Sequence, residues 1–314
     1  MIDFQSIKRR EFIKYTATSG LMLLGLEVDS HSDFLQKKEL TEIYLLYTND
    51  QHSRIEPFPL NDPKFPNEGG FAKRAKLIED YRKQFDNILL LDAGDIFQGT
   101  PYFNFFEGEL EYKLMSMMNY DATTFGNHDF DLGAENILKQ SKHASFDFLN
   151  CNYDLSDTAL ANHKKIYRYK TYKKGHLKIG VYGLGIELNG LVSDKYIKNI
   201  KYKDPITEAL KTEDHLKNEE KCDYIICLSH LGYKYDSIKV SDIELAKQLN
   251  HTHLIIGGHT HTFLENLVEI ENKSKNITYI TQVGWAGIWL GSIKITFTSN
   301  KKIFLQNNTS HKIF

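Results

Sequence analysis

Short apolar runs alternate with helix-like segments along most of the chain, and this pattern predicts the fold class. Several runs rich in Ile, Leu, Val and Tyr are each followed by a segment whose apolar residues have helical spacing. Repeated strand and helix alternation is typical of α/β proteins with largely parallel sheets, so an α/β fold is expected. The runs are EIYLLYTND (42–50), NILLLDAGD (87–95), DATTFGNHD (121–129) and DYIICLSH (223–230).

Other apolar segments lack a following helix and are joined by turns instead. Strands connected in this way favour antiparallel pairing, so the sheets are expected to be mixed. No internal repeat, low-complexity tract or proline-rich linker interrupts residues 40–314, which indicates one domain over this range. The segments are HLKIGVYGLG, ENLVEIEN, NITYITQVG and LGSIKITFTSN.

The first thirty residues differ from this pattern. KRREFIK (8–14) precedes a moderately apolar run, and the combination resembles a twin-arginine export signal over residues 1–30. A basic amphipathic helix is the alternative interpretation. The resemblance predicts a protein exported to the periplasm or cell envelope. No A-x-A cleavage motif follows, so such a signal could remain as a membrane anchor.

Composition and charge narrow the classes of partner. The 314 residues are 41% hydrophobic and 25% charged, with a formal net charge of −2. Because the overall charge is close to zero, no global positive field exists to hold a nucleic acid polymer or an anionic membrane. The three cysteines are Cys151, Cys222 and Cys227, and neither a disulfide framework nor a cysteine-ligated metal site is expected from them.

Polar residues of metal-binding type follow the apolar runs at their carboxyl ends. Asp50 with His52, and His259 with His261, have the spacing i, i+2, which in an extended chain points both side chains to one side. Sites in open α/β sheets form outside the carboxyl ends of strands, so all these ends are expected to meet in one crevice. The further candidates at strand ends are Asp95, Asn127, His128 and His230.

A second histidine pair tests whether position relative to a strand separates site histidines from other histidines with the same spacing. His251 and His253 also have the spacing i, i+2, but they precede the strand that leads to His259. At about 3.3 Å per residue, the length of that strand places them roughly 13 Å or more from its far end. They are therefore expected to lie outside the site.

The order of these motifs resembles the calcineurin-like metallophosphoesterases. D-x-H, G-D, G-N-H-D, a histidine at a strand end and G-H-x-H follow one another along the chain. Within that superfamily the motifs YTNDQHSRIEP, DAGDIFQGTP, TTFGNHDFDLG, SHLG and GGHTHT are most similar to the catalytic domain of the 5′-nucleotidase and cyclic-nucleotide phosphodiesterase family. The resemblance covers about residues 42–312 and implies a four-layer α/β/β/α sandwich.

The resemblance also implies a centre of two divalent metal ions, which could be Mn, Zn, Fe, Co or Mg. A carboxylate is suited to bridge two such ions, while imidazoles and an amide oxygen complete their coordination. Asp92 is the alternative bridging carboxylate, but the family pattern G-D selects Asp95. By the resemblance, one ion would take Asp50, His52, His261 and the shared Asp95, and the other would take Asp95, Asn127, His230 and His259.

Two further residues gain a role from the resemblance. His128 corresponds to the family histidine that stabilises the transition state or protonates the leaving oxygen, and Asp131 would hold its imidazole in the required tautomer. A structural histidine is the alternative for His128. Two metal ions activate a water for attack on phosphorus, so no protein nucleophile is required.

The expected function is that of an exported phosphohydrolase acting on nucleoside monophosphates or similar phosphomonoesters. The alternatives are a 2′,3′-cyclic nucleotide phosphodiesterase, a hydrolase of sulfur esters and a non-catalytic metal-binding subunit of a larger complex. Longer members of the family carry a C-terminal domain that clamps the base, whereas this sequence ends at Phe314. A separately encoded nucleotide-binding partner is therefore expected, with little base preference in its absence.

Overall fold

Two mixed β-sheets form the centre of the computed structural model, which describes residues 40–314. The predicted signal segment, residues 1–30, lies outside the described residues. The larger sheet has seven strands, and its middle strands run parallel while the last two strands of the chain join it in antiparallel fashion. In spatial order these are β15 (Ile303–Lys312), β14 (Trp289–Phe297), β1 (Thr41–Thr48), β2 (Ile88–Asp92), β3 (Ala122–Thr123), β4 (Asp147–Leu149) and β6 (Ile166–Tyr167).

The smaller sheet has six strands, of which the four central ones are parallel and the two at the edges are antiparallel. In spatial order they are β12 (Val268–Glu271), β13 (Ile277–Thr281), β11 (Leu254–Gly257), β10 (Tyr224–Ser229), β8 (Leu177–Leu184) and β7 (Tyr169–Lys174). A separate two-stranded ribbon pairs β5 (Tyr153–Asp154) with β9 (Lys201–Tyr202).

The prediction of mixed α/β sheets is confirmed, with one refinement. The segments HLKIGVYGLG and NITYITQVG form β8 and β13, which pair antiparallel with a neighbour on one side only. On the other side each is parallel to a central strand. These turn-linked strands were expected to form antiparallel ribbons, but they also complete the parallel part of the sheet.

Side chains alternate along the central strands between three apolar cores. In β1, Ile43, Leu45 and Tyr47 enter the core between the two sheets, whereas Tyr44 and Leu46 pack against helices. The side chains of strand β10 alternate in the same way between the inter-sheet core and a second core that faces helices. Strands covered on both faces need such continuous apolar sequences. The cores confirm the four-layer α/β/β/α arrangement.

Helices cover the outer face of each sheet. Four of them match the helix-like segments of the sequence: α1 (Phe71–Gln84), α3 (Glu109–Met117), α4 (Gly133–Ser141) and α7 (Asp242–Gln248). Three others were not predicted: α2 (Pro101–Phe106), α5 (Asp194–Ile197) and α6 (Pro205–Asn218). Within the described residues, no helix combines the length and apolar character needed to cross a bilayer.

The long helix α6 has a clear start signal. Its N-cap residue Asp204 accepts a hydrogen bond from the backbone N–H of Thr207 at 2.7 Å, and Pro205 occupies the first turn. Both features are preferred at helix N-termini. The helix packs Ala209 and Leu216 into the core that also contains the three free, buried cysteines.

Candidate metal centre

The loops that follow the strands hold five site residues in left-handed backbone conformation. The angle φ is 49° at Asp50 and at His52, 55° at Asp95, 71° at His259 and 52° at His261. Such angles cost an L-residue about 1 to 3 kcal/mol and persist only where the surroundings enforce them. Hydrogen bonds between loops do so here: the N–H of His52 donates to the Asp95 carbonyl at 3.0 Å, and that of His259 to the Asp50 carboxylate at 3.0 Å.

These angles contradict the extended geometry that the i, i+2 spacing of the two pairs predicted. Asp50 and His52 belong to one group of possible ligands, whereas His259 and His261 belong to two different groups. An extended strand has negative φ, whereas both members of each pair are left-handed. The extended geometry predicted from the spacing is therefore wrong: the chain turns sharply after each strand, and this turn brings Asp50 and His52 together but directs His259 and His261 to different groups.

The first group of possible ligands consists of Asp50, His52 and His261. The Nε2 atoms of His52 and His261 lie 2.9 Å apart, and Asp50 Oδ1 lies 3.4 Å from His261 Nε2. Trp285 stacks on the imidazole of His261 with ring centroids 5.5 Å apart and an angle of 6° between the planes. This contact fixes the plane of the His261 ring.

The second group consists of Asp95, His230 and His259, and Asn127 adjoins it. Asp95 Oδ2 lies 3.1 Å from His230 Nε2, and the Asn127 side-chain oxygen lies 2.9 Å from His259 Nδ1. His230 donates its Nδ1–H to the carbonyl of Ala93 at 2.7 Å. Since that bond holds the Nδ1 proton, Nε2 is the ring atom that faces the site, and it could bind a metal ion once its own proton is displaced.

Asp95 lies between the two groups. Its Oδ2 atom lies 3.1 Å from His230 Nε2 and 3.9 Å from His52 Nε2. Its Oδ1 atom accepts a hydrogen bond from the backbone N–H of His128 at 2.8 Å. Asp92 is placed differently. Its carboxylate accepts hydrogen bonds from the side chains of neighbouring residues and from the backbone of the loop, and burial raises its pKa to about 6.

The buried carboxylates of the two ligand groups favour the binding of a cation between them. The residues Asp50 and Asp95 are 0% and 1% exposed. Burial disfavours a charged imidazole at His230, but the carboxylates of Asp95 and Asp50 outweigh it and raise the pKa of His230 to about 10. Burial and the nearby His230 lower the pKa of His259 to about 4, so that imidazole keeps a free lone pair. A bound dication would supply the positive charge that the proton on His230 supplies otherwise.

The donor atoms fit a divalent metal. His230 Nε2 is fully buried, and the contact with Asp95 Oδ2 at 3.1 Å offsets its removal from water, so a bound cation could take the place of the proton between these two atoms. Two ligands about 2.1 Å from one ion and at right angles to each other are separated by roughly 3.0 Å. The spacings of 2.9 and 3.1 Å match that value. Imidazole, carboxylate and amide oxygen, without thiolate, form a donor set that binds divalent metals.

His128 lies at the rim of the site, with its side chain 32% exposed. Its Nδ1 atom is 2.8 Å from Asp131 Oδ2, and its ring centroid is 5.3 Å from that of His52. Burial lowers the pKa of His128, but the hydrogen bond to Asp131 and the charge of Asp95 raise it above the ordinary value. The pairing of His128 with Asp131 expected from the resemblance is present.

Asp129 was not among the predicted site residues, although it contacts two of the site loops. Its carboxylate is 1% exposed and accepts four backbone N–H groups, from Asp95 (3.1 Å), Ile96 (3.0 Å), Phe97 (3.3 Å) and Gly126 (2.8 Å). It thereby ties the loop that carries Asp95 to the G-N-H-D segment. Its position directly after G-N-H was the available signal.

Two amides that the sequence analysis also missed hold the remaining loops. Gln282 donates to the carbonyl of Gly258 at 2.6 Å and accepts the N–H of Thr262, which braces the GGHTHT segment on both sides of its histidines. Asn49 donates to the carboxylate of Asp50 at 2.6 Å and so orients it. Nothing in their spacing distinguishes these amides from ordinary polar residues at strand ends.

The second histidine pair lies outside the centre, as predicted. The N–H of Ile225 donates to His253 Nδ1 at 3.1 Å, and the His253 ring stacks on Tyr224. The backbone N–H of His251 donates to the carboxylate of Glu213 at 3.0 Å. Both histidines therefore belong to the start of β11 and its neighbours.

Comparison with known proteins agrees with this geometry. Residues 43–263, more than half of the chain, match the family described as calcineurin-like phosphoesterase. A trifunctional nucleotide phosphoesterase of Bacillus subtilis, YfkN, is 29% identical over 91% of this chain, and a 5′-nucleotidase of Vibrio cholerae is 32% identical over 83% of it. The chain spans only 20% and 50% of the length of these two relatives.

A solved structure has the same fold. The crystal structure of a 5′-nucleotidase precursor from Thermus thermophilus superposes with a TM-score of 0.78 at 27% sequence identity. The match covers 87% of this chain and 54% of the Thermus chain. With residues 43–263 matched and a donor set suited to divalent metal at the strand ends, the chain belongs to the calcineurin-like phosphoesterase family, whose members are metal-dependent phosphoric ester hydrolases.

Proposed function

We propose that this chain is an exported phosphohydrolase that uses two divalent metal ions to release phosphate from nucleoside monophosphates or similar phosphomonoesters. The observation that carries the proposal is the position of Asp95, whose Oδ2 atom faces both groups of possible ligands. One shared carboxylate between two histidine-containing groups is the arrangement that a two-metal centre requires.

The ligands in this proposal are those of the sequence analysis. Bound ions would supply an activated water and positive charge that offsets the charge of the phosphoryl oxygens. The protein contributes fixed ligand positions, because Asp129, Gln282 and Asn49 hold the loops in place. One ion would be held by Asp50, His52, His261 and Asp95, and the other by Asp95, Asn127, His230 and His259.

The proton that the leaving oxygen needs is assigned to His128. Asp131 accepts the Nδ1–H of its imidazole at 2.8 Å, so Nε2 is the atom that would donate. The partial exposure of the ring leaves room for a substrate at that atom. Asp131 acts through His128 by fixing its tautomer and orientation.

The substrate class is supported by the names of similar proteins. The Bacillus relative is named a nucleotide phosphoesterase, and those from Vibrio cholerae and from the venom of Crotalus adamanteus are named 5′-nucleotidases. No other part of the described chain argues for a different ester. Nucleoside monophosphates are therefore the first substrates to test.

The deciding experiment is a substrate panel on metal-stripped protein to which single divalent metals are restored. We expect hydrolysis of nucleoside monophosphates and of an aryl phosphate to return with at least one metal, together with about two bound ions per chain. Exclusive cleavage of 2′,3′-cyclic nucleotides would favour the phosphodiesterase alternative instead. Full metal loading without hydrolysis of any ester would mean a non-catalytic metal-binding subunit.

Export is the part of the proposal that rests on the N-terminal sequence alone. The paired arginines Arg9 and Arg10 in KRREFIK precede a weakly apolar run. We expect the double substitution Arg9→Lys with Arg10→Lys to hold the protein in the cytoplasm, because the twin-arginine route depends on that pair. Fractionation of cells that produce each form tests this, with Lys8→Arg as the control. Normal export of the double variant would contradict the assignment.

A further inference from the structure

The short helix α2 has aromatic side chains on two faces. Of its six residues, four are aromatic, and only Phe103 is buried, packing on Phe97 with ring centroids 5.4 Å apart. Phe105 is 80% exposed and Phe106 is 45% exposed. A helix that already buries one aromatic ring gains nothing in stability from two more in solvent. Two adjacent exposed aromatic rings are therefore a candidate binding surface.

The outward rings are held in a defined arrangement. Tyr102 and Phe106 are four residues apart on the helix, and their rings lie nearly parallel with centroids separated by 6.4 Å. Glu56, in the segment that follows His52, raises the pKa of Tyr102, so the two side chains lie beside each other. The aromatic face is therefore partly organised before any ligand binds.

A cleft of about 320 Å³ lies between this face and the segment that follows His52. Such a volume is at the lower end of small-molecule sites and is sufficient for a single planar ring system. The lining residues are Arg54, Ile55, Glu56, Thr100, Pro101, Tyr102, Phe105 and Phe106.

One wall of the cleft contacts the segment that carries His52. Thr100, in its wall, donates its hydroxyl hydrogen to the carbonyl of Ser53 at 2.6 Å. A Cβ atom placed on the neighbouring Gly99 would lie 2.9 Å from the Cβ of His52, so the two segments touch. The cleft therefore adjoins the segment that carries His52, one of the possible metal ligands.

Arg54 adds positive charge to the same wall. Its guanidinium lies 4.2 Å from the centre of the Phe58 ring, and its Nε atom is buried without a hydrogen-bond partner among the described residues. Arg54 also forms no salt bridge within residues 40–314. The same wall contains the carboxylate of Glu56, so the two charges offset each other and the aromatic rings are what distinguish this cleft.

From these contacts we infer that the cleft between α2 and residues 54–56 is a subsite for the planar aromatic leaving group of the substrate, with Phe105 and Phe106 as its stacking surface. The inference deepens the proposed function and rests on it. Stacking on an aromatic face depends little on which base is present. The subsite therefore selects nucleosides and aryl groups over aliphatic alcohols, with weak discrimination among bases.

The kinetic test compares adenosine 5′-monophosphate with ribose 5-phosphate, which has the same phosphate and sugar but no ring system to stack. In the double variant Phe105→Ala with Phe106→Ala, we expect KM for the nucleotide to rise roughly 5- to 100-fold, while KM for ribose 5-phosphate and both kcat values stay within about twofold. Leu60→Ala is the matched control, since Leu60 is 82% exposed and does not line the cleft.

A binding test separates failure of this inference from failure of the proposed function. Adenosine has no phosphate, so its binding to the full chain can be measured by calorimetry whether or not any ester is hydrolysed. We expect binding by the wild-type protein and by Leu60→Ala, and its loss in the double variant. Hydrolysis of both esters without adenosine binding, or an equal change of KM for both, would overturn the subsite alone. Inactivity on every ester would overturn the proposed function, and adenosine binding would then decide the subsite by itself.

Discussion

The variant Asp95→Ala is expected to lose both bound metal ions and more than about 10³-fold of turnover. Removal of a single electrostatic contributor typically costs about 10² to 10³ in rate, and here one substitution removes a ligand from two sites at once. The expectation follows from the position of Asp95 Oδ2, at 3.1 Å from His230 Nε2 and 3.9 Å from His52 Nε2. Metal analysis of the purified variant gives the stoichiometry independently of activity.

The matched control for Asp95→Ala is Asp92→Asn, three residues earlier in the same DAGD motif. Asp92 is fully buried, but its carboxylate accepts hydrogen bonds from Thr48, Gln51 and Gly94 rather than facing the ligands. This control should keep about two ions per chain even if its thermal stability falls. Equal metal content in Asp95→Ala and wild-type protein would exclude Asp95 as the bridge.

The variant His128→Ala is expected to keep its metal ions and to lose roughly 10² to 10⁴ in kcat on esters with poor leaving groups. The loss arises because the leaving oxygen of a nucleoside or sugar needs a proton, whereas that of a nitrophenyl ester does not. Turnover of the nitrophenyl ester should fall much less. The ratio of the two losses, measured on one metal-loaded preparation, is the quantity that checks the role.

Two comparisons complete the test of His128. His251→Ala serves as the control histidine, because His251 lies in the loop before β11, outside both groups of possible ligands, and should leave both rates unchanged. Asp131→Asn should reproduce part of the His128→Ala loss, since it removes only the acceptor that orients the imidazole. Equal losses on both ester types would assign to His128 a purely electrostatic role.

The candidate site could be located from sequence because its residues follow strands. Once EIYLLYTND and DYIICLSH were taken as buried parallel strands, the positions after them had to lie at one edge of the fold. His251 and His253 were placed outside by the same reasoning, since they precede their strand. The route by which Asp50 and His52 converge could not be predicted, because left-handed φ at both depends on hydrogen bonds to the loop that carries Asp95.

Other features needed the tertiary structure. Asp129 serves the site only through backbone N–H groups brought together by two different loops, and no residue spacing encodes that. Helix α2 was missed because three of its four aromatic side chains point away from the core, which removes the one-sided apolar pattern that predicts helices. Helix α6 was missed although its start at Asp204 and Pro205 was readable.

The ligands of the centre come from both sheets of the sandwich. Asp50, His52 and Asp95 follow strands of the larger sheet, and His230 and His259 follow strands of the smaller one. A metal ion coordinated from both sides would therefore cross-link two layers that are otherwise held at this end by apolar packing and loop contacts. Ligand binding at about 100 times Kd adds about 2.7 kcal/mol to stability. Removal of the metal by a chelator should accordingly lower the stability of this end of the sandwich. Storage in a chelating buffer would then make the protein more sensitive to proteases, in addition to abolishing hydrolysis.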